Sequence, residues 1–206
     1  MAVTTGKAII YHIPKCGGTW VKVALEEAGL DYKPARNLKG PQPFNLKIAH
    51  ATPDVVVPST KKGRLGITFV REPIAWYTSY WSFRSRKGAR RDDKFPADGL
   101  WSDNFDEFVN NILDAFPGGF VTELYQYYVG EDLNKVDFIG RQETLIDDLV
   151  DALEMAGESF EAGMLRATPP QNQSLNIWKR QCVLRDDTLK RIHDAESWVY
   201  EKFYHA

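Results

Sequence analysis

The chain of 206 residues has only two cysteines, Cys16 and Cys182. They lie far apart and in no C-x-x-C or similar spacing, which excludes a disulfide framework and a cysteine-based zinc site. An excess of either charge is also missing, since 26 Lys and Arg stand against 28 Asp and Glu for a formal charge of −2. That balance removes any global electrostatic case for binding nucleic acid or an anionic membrane. No stretch approaches the roughly 20 apolar residues of a membrane span, and the opening MAVTTGKAII lacks the apolar run of a secretory signal. The expectation is a soluble, cytoplasmic protein in a reducing environment. Repeats, low-complexity tracts and a recognisable linker are absent, so residues 1–206 read as a single domain with a substantial core.

What the chain does have is aromatic residues, at 13% with six Trp. They suit a well-filled core or a cleft with aromatic walls, and composition does not separate the two. Apolar patterning predicts a buried strand over Lys7 to Ile13 and a helix over Thr19 to Ala28 closed by Gly29. An apolar segment, Leu46 to Ala49, ends at His50. A second strand is predicted over Leu65 to Val70, with Pro73 opening a helix through Trp81. Arg84 to Lys94 reads as a basic loop. Further helices follow over Ser102–Phe116 and Val121–Tyr128, then a strand over Val136–Ile139 and helices over Thr144–Ala156 and Asp186–Phe203. Strands alternating with helices imply a three-layer α/β fold, a central parallel sheet flanked by helices. Ligands of such sheets bind at the carboxyl ends of the strands. Three of those ends carry marked chemistry: Lys15 to Thr19, Arg71 and Arg141.

The first is PKCGGTW, Pro14 to Trp20. Gly17 and Gly18 let successive backbone N–H groups turn toward one anion, and the helix that follows adds unpaired N–H groups and a positive dipole end. Lys15 contributes a full charge and Thr19 a hydroxyl. The ordinary nucleotide-triphosphatase loop, GxxxxGK[ST], places its lysine after the last glycine, whereas Lys15 precedes both. No Lys-Ser/Thr pair is present to hold magnesium, which argues against ATP hydrolysis. Cys16, at a helix start beside a lysine, raises a nucleophilic reading. The Cys-x5-Arg pattern of tyrosine phosphatases fails, however, because the sixth residue on is Lys22, and a packed thiol fits better.

The second is REPIAWYTSY, Arg71 to Tyr80, directly after a predicted strand. Arg71 brings a forked cationic donor to a strand end, and Ser79 a hydroxyl two turns along the helix. The plainer reading is an arginine in a turn capped by Glu72, followed by an aromatic core helix.

In order and spacing these two segments resemble the phosphate motifs of sulfotransferases that use 3′-phosphoadenylyl sulfate (PAPS). Pro14 to Trp20 is similar to the family's PKSGTTW or PKTGGT loop for the 5′-phosphosulfate, with Cys16 where Ser or Thr is common and Gly18 matching the carbohydrate-type variant. Arg71, Pro73 and Ser79 match the 3′-phosphate motif RDPxxRxxSxY, with Glu72 for Asp and Trp76 at the second Arg. A weaker likeness is FIGRQETL from Phe138, which the family carries near the adenine and which would bring Arg141 beside the nucleotide, the alternative being a pair with Glu143.

The resemblance implies a P-loop NTPase-like sulfotransferase fold and transfer of a sulfuryl group from PAPS, leaving adenosine 3′,5′-bisphosphate (PAP), without a metal. The acceptor would be a hydroxyl or amine of a carbohydrate or small molecule. Lys15 would meet the leaving phosphate and Thr19 the 5′-phosphate. Cys16, Gly17, Gly18 and Trp20 complete the loop, and Arg71 and Ser79 bind the 3′-phosphate. His50 is the expected general base, in a segment (HATPDVVVP) similar to the family's His-x-Pro, with one residue more before the proline. Glu26 and Glu27 on the helix after the loop are alternative bases, and His12 is expected beneath the loop. A nucleotide kinase or phosphotransferase, or a nucleotide-binding module without catalysis, remain as alternatives.

Overall fold

A computed structural model describes residues 2–38, 44, 50–86, 95–171 and 180–204. The segment Leu46 to Ala49, most of the basic stretch before Lys94, residues 172–174 and His205 lie outside these. The chain divides into two compact units, Met1–Arg71 with Tyr125–Asn172 and Glu72–Leu124 with Gln173–Ala206.

The first unit holds a five-stranded sheet, with strands β1 Val3–Thr4, β2 Ala8–Tyr11, β3 Lys33–Pro34, β4 Leu65–Val70 and β5 Phe138–Arg141 in the order β3-β1-β2-β4-β5. The parallel centre is β2, β4 and β5, with Tyr11 opposite Thr68 and Val70 opposite Arg141. The expectation of a wholly parallel sheet is corrected at one edge. There β1 runs antiparallel to both β2 and β3, so the sheet is mixed. The reason is local: only Thr5, Gly6 and Lys7 separate β1 from β2, a connection long enough for a hairpin but not for a parallel crossover. Two residues per strand are too few to announce themselves in a hydrophobic pattern.

Every residue of β2 and all of β4 beyond Leu65 are buried, as in strands covered on both faces. The covering helices include α1 Gly18–Glu27, which buries Trp20, Val21, Ala24 and Leu25. Another is α7 Leu145–Ala156, whose buried stripe is Leu145, Leu149, Val150, Ala152 and Leu153. Each stripe follows the 3.6-residue period, and each helix is followed by a glycine at positive φ, Gly29 and Gly157. Short helices α2 Pro58–Lys61 and α8 Ala162–Ala167 complete the unit, and Tyr125 to Val129 of α6 (Phe120–Val129) belong to it as well.

The second unit is helical, with α3 Pro73–Arg86, α4 Pro96–Gly99, α5 Phe105–Ala115 and α9 Asp186–Ala195. Glu72 opens α3, its carboxylate accepting the N–H groups of Ile74 and Ala75, so it caps the helix. Four of the five aromatic residues of α3 are core: Trp76, Tyr77, Tyr80 and Trp81 are buried and Phe83 is half-buried. Trp76 stacks on Tyr80 with ring centroids 5.1 Å apart. Among the described residues no helix is long and apolar enough to cross a membrane.

Candidate functional site

Because β2, β4 and β5 are parallel and in register, their carboxyl ends reach one edge of the first unit. The segment after β2 is the loop of Lys15, Arg71 follows β4, and Arg141 ends β5. This brings together the three marked strand ends.

The loop is tight and internally constrained. Lys15 has φ 69° and Gly17 φ 86°, both in the left-handed region. For a lysine that conformation costs about 1–2 kcal/mol, so something in the surroundings must impose it. One constraint is Arg71, whose Nη1 donates to the Lys15 carbonyl at 3.1 Å. Its Nε is buried and has no hydrogen-bond partner among the described residues. A buried guanidinium N–H left unmet costs stability.

The two glycines have a role beyond the one their sequence suggested. A Cβ on Gly17 would come 2.5 Å from Leu145 Cδ2, and one on Gly18 would come 2.1 Å from His12 Cδ2. Gly17 lets the loop fit against the first turn of α7, and Gly18 lets α1 start directly over the His12 ring. Gly18→Ala is therefore expected to destabilise the fold by roughly 1–3 kcal/mol through overpacking, measured as a lowered denaturant midpoint at unchanged slope. Under the loop remains a cavity of about 10 Å³ lined by His12, Cys16, Gly18 and Lys22 among others. It has room for about one water, so an anion would have to sit on the outer side of the loop.

Of the loop side chains, Cys16 and Trp20 point into the core. Cys16 is 2% exposed, and burial pushes its thiol up to about 12, so it is neutral near pH 7 and the nucleophile reading loses its chemistry. Trp20 donates its indole N–H to the Thr168 carbonyl, a contact within the core. Thr19 is exposed on the first turn of α1, where N–H groups have no intrahelical partner. Gly17 precedes α1 without a capping side chain, and Val21 N–H bonds back to its carbonyl.

Two tyrosines on α6 that sequence reasoning missed hold this edge. Tyr125 Oη donates to the Arg71 carbonyl at 2.8 Å, accepts the Arg71 N–H at 2.9 Å and lies 3.6 Å from Cys16 Sγ. Tyr128 Oη donates to the His50 carbonyl at 2.6 Å and lies 3.4 Å from that of His12. Their three-residue spacing puts them on one helix face, but a Tyr on an apolar face looks like core until its hydroxyl partner is known.

His50 is half-buried, its ring centroid 4.7 Å from that of His12 and its Nδ1 3.1 Å from the His12 carbonyl. Burial, with positive charges nearby, holds the His12 imidazole well below the usual histidine range, so that ring is neutral. Glu26 and Glu27 are exposed in the last turn of α1, and Glu26 accepts the Tyr32 hydroxyl. Eight residues of helix separate Glu26 from Gly18, about 12 Å of rise, so neither glutamate stands at the loop.

Arg141 is exposed at the end of β5, its N–H on the Asp148 carboxylate. Ser79 is half-buried on α3 in the second unit. Trp76, at the position where the resemblance carries a second arginine, is fully buried. Compared with known proteins, the chain matches no family model, no curated protein and no solved structure.

Proposed function

We propose that the protein is a sulfotransferase that takes its sulfuryl group from 3′-phosphoadenylyl sulfate and gives it to a hydroxyl or amine of a carbohydrate or small-molecule acceptor. The observation that carries this reading is the pairing of a Lys15 loop held at positive φ with Arg71 on the next strand end, whose Nη1 donates to the Lys15 carbonyl. The pair puts two cationic residues at one sheet edge, which suits a nucleotide bearing more than one phosphate.

Bound there, the donor would supply an activated sulfuryl group on a 5′-phosphate leaving group. The Thr19 hydroxyl and the first N–H groups of α1 would bind that phosphate, with the helix dipole favouring the anion. Lys15 would meet the charge that develops on the departing oxygen. Arg71 would hold the 3′-phosphate while its Nη1 keeps the loop carbonyl in place. His50 would take the acceptor's proton, a task suited to an imidazole near neutral pH.

Thermal-shift titration tests the reading. Adenosine 3′,5′-bisphosphate at a hundred times its Kd should raise stability by about 2.7 kcal/mol, a shift of roughly 5–10 °C for a chain of this size. ATP with magnesium should give much less. Equal shifts, or none, would overturn the proposal. Magnesium-dependent ATP turnover would indicate a phosphotransferase, and bisphosphate binding without sulfate transfer a binding module.

A further inference from the structure

The hydroxyl of Tyr128 ends among backbone groups of two histidines. It donates to the His50 carbonyl at 2.6 Å and lies 3.4 Å from the His12 carbonyl. That same His12 oxygen is 3.1 Å from His50 Nδ1. A carbonyl oxygen only accepts, so in this contact Nδ1 carries the hydrogen and the lone pair of the neutral ring falls on Nε2. Tyr128 is fully buried, and its hydroxyl fixes the backbone from which the His50 ring extends.

We propose that Tyr128 is a positioning residue for sulfate transfer, holding His50 against the His12 carbonyl so that the imidazole stays the Nδ1–H tautomer and Nε2 accepts the proton. This rests on the sulfotransferase reading. In the step, the acceptor's O–H proton passes to Nε2 and its oxygen forms a bond to sulfur. The bond from sulfur to the 5′-phosphate oxygen breaks, and its electron pair leaves on that oxygen, where Lys15 meets it. The imidazolium then returns its proton to solvent. His12, neutral through burial, adds no second positive charge beside the ring that becomes an imidazolium.

The test combines Tyr128→Phe with ¹⁵N NMR of histidine-labelled protein. In the wild type, His50 Nδ1 should give a protonated, pyrrole-like signal and Nε2 a pyridine-like one. In Tyr128→Phe the two tautomers should mix, and kcat should fall on the order of 10- to 100-fold, the effect of a misplaced group. The KM for the donor and the thermal shift with the bisphosphate should not change. A wild-type His50 protonated at Nε2 overturns the proposal, as does a Tyr128→Phe enzyme with unchanged kcat. Full turnover by His50→Ala overturns it through the base itself. The NMR result does not depend on turnover. An Nδ1–H tautomer in a protein that transfers no sulfate would therefore refute the sulfotransferase reading, and with it the role of Tyr128 in transfer.

Discussion

On the proposed sulfotransferase reading, Lys15→Ala is expected to lower sulfate transfer on the order of 10²- to 10³-fold, the usual loss when one preorganised donor is removed from a developing anion. The fold should survive, and Lys15→Gly makes the argument sharper. At φ 69° the lysine occupies a conformation in which glycine is unstrained. Removing the side chain should leave stability unchanged or raise it by up to about 1 kcal/mol. A stable but inactive Lys15→Gly protein would show strain retained for function rather than for folding. Chemical denaturation and single-turnover transfer on the same preparation measure both halves. Wild-type rates in either variant would sink the assigned role of Lys15, and a large loss of stability in Lys15→Gly would sink the strain argument.

Glu196→Ala should produce the largest loss of stability. This carboxylate is fully buried in the second unit. It accepts the Tyr77 hydroxyl at 2.6 Å, the Val121 N–H at 3.0 Å, the Thr122 N–H at 2.7 Å and the Thr122 hydroxyl at 2.8 Å. Two of these donors are first-turn N–H groups of α6, which the helix itself leaves unmet. Burial raises the carboxyl above the ordinary glutamate range, against the pull of those bonds. A raised, buried carboxylate invites an acid–base reading. Here its two oxygens are already occupied by four donors, which makes Glu196 a cap from outside the helix.

Truncating Glu196 strands those donors at about 1–3 kcal/mol each before water enters, so a net loss of about 4 kcal/mol is expected. For this length that lowers Tm by roughly 10 °C. Glu196→Gln, which keeps the volume but turns an NH₂ group toward N–H donors, should lie between the two. A loss below about 1 kcal/mol for Glu196→Ala would mean that α6 is held some other way.

How much of this was legible in the chain depends on the range of each interaction. The strand Leu65–Val70 has the bounds its apolar run predicts, and α1 and α7 end at the glycines that stop them, because propensity, period and cap all act within a few residues. The helix after Pro73 runs on to Arg86 rather than Trp81. The predicted strand Val136–Ile139 moves to Phe138–Arg141, because Asp137 meets Gly66 through its own N–H and carboxylate before the ladder begins. The antiparallel edge was not legible at all. A two-residue strand carries no period, and only its hairpin to β2 gives it a direction.

For the site, the sequence by itself determined the residue types and their order. PKCGGTW after a strand and REP after the next place a lysine loop and an arginine at strand ends, since a parallel sheet delivers its carboxyl ends to one edge. Tertiary structure alone decided what those groups do to one another. It showed that Arg71 braces the Lys15 carbonyl, that Gly18 makes room for His12, that Trp20 faces inward, and that Tyr125 and Tyr128 hold the strand ends. The physical reason is separation along the chain. A hydrogen bond across more than fifty residues leaves no local pattern, because its geometry is set by packing and not by the neighbours of either partner.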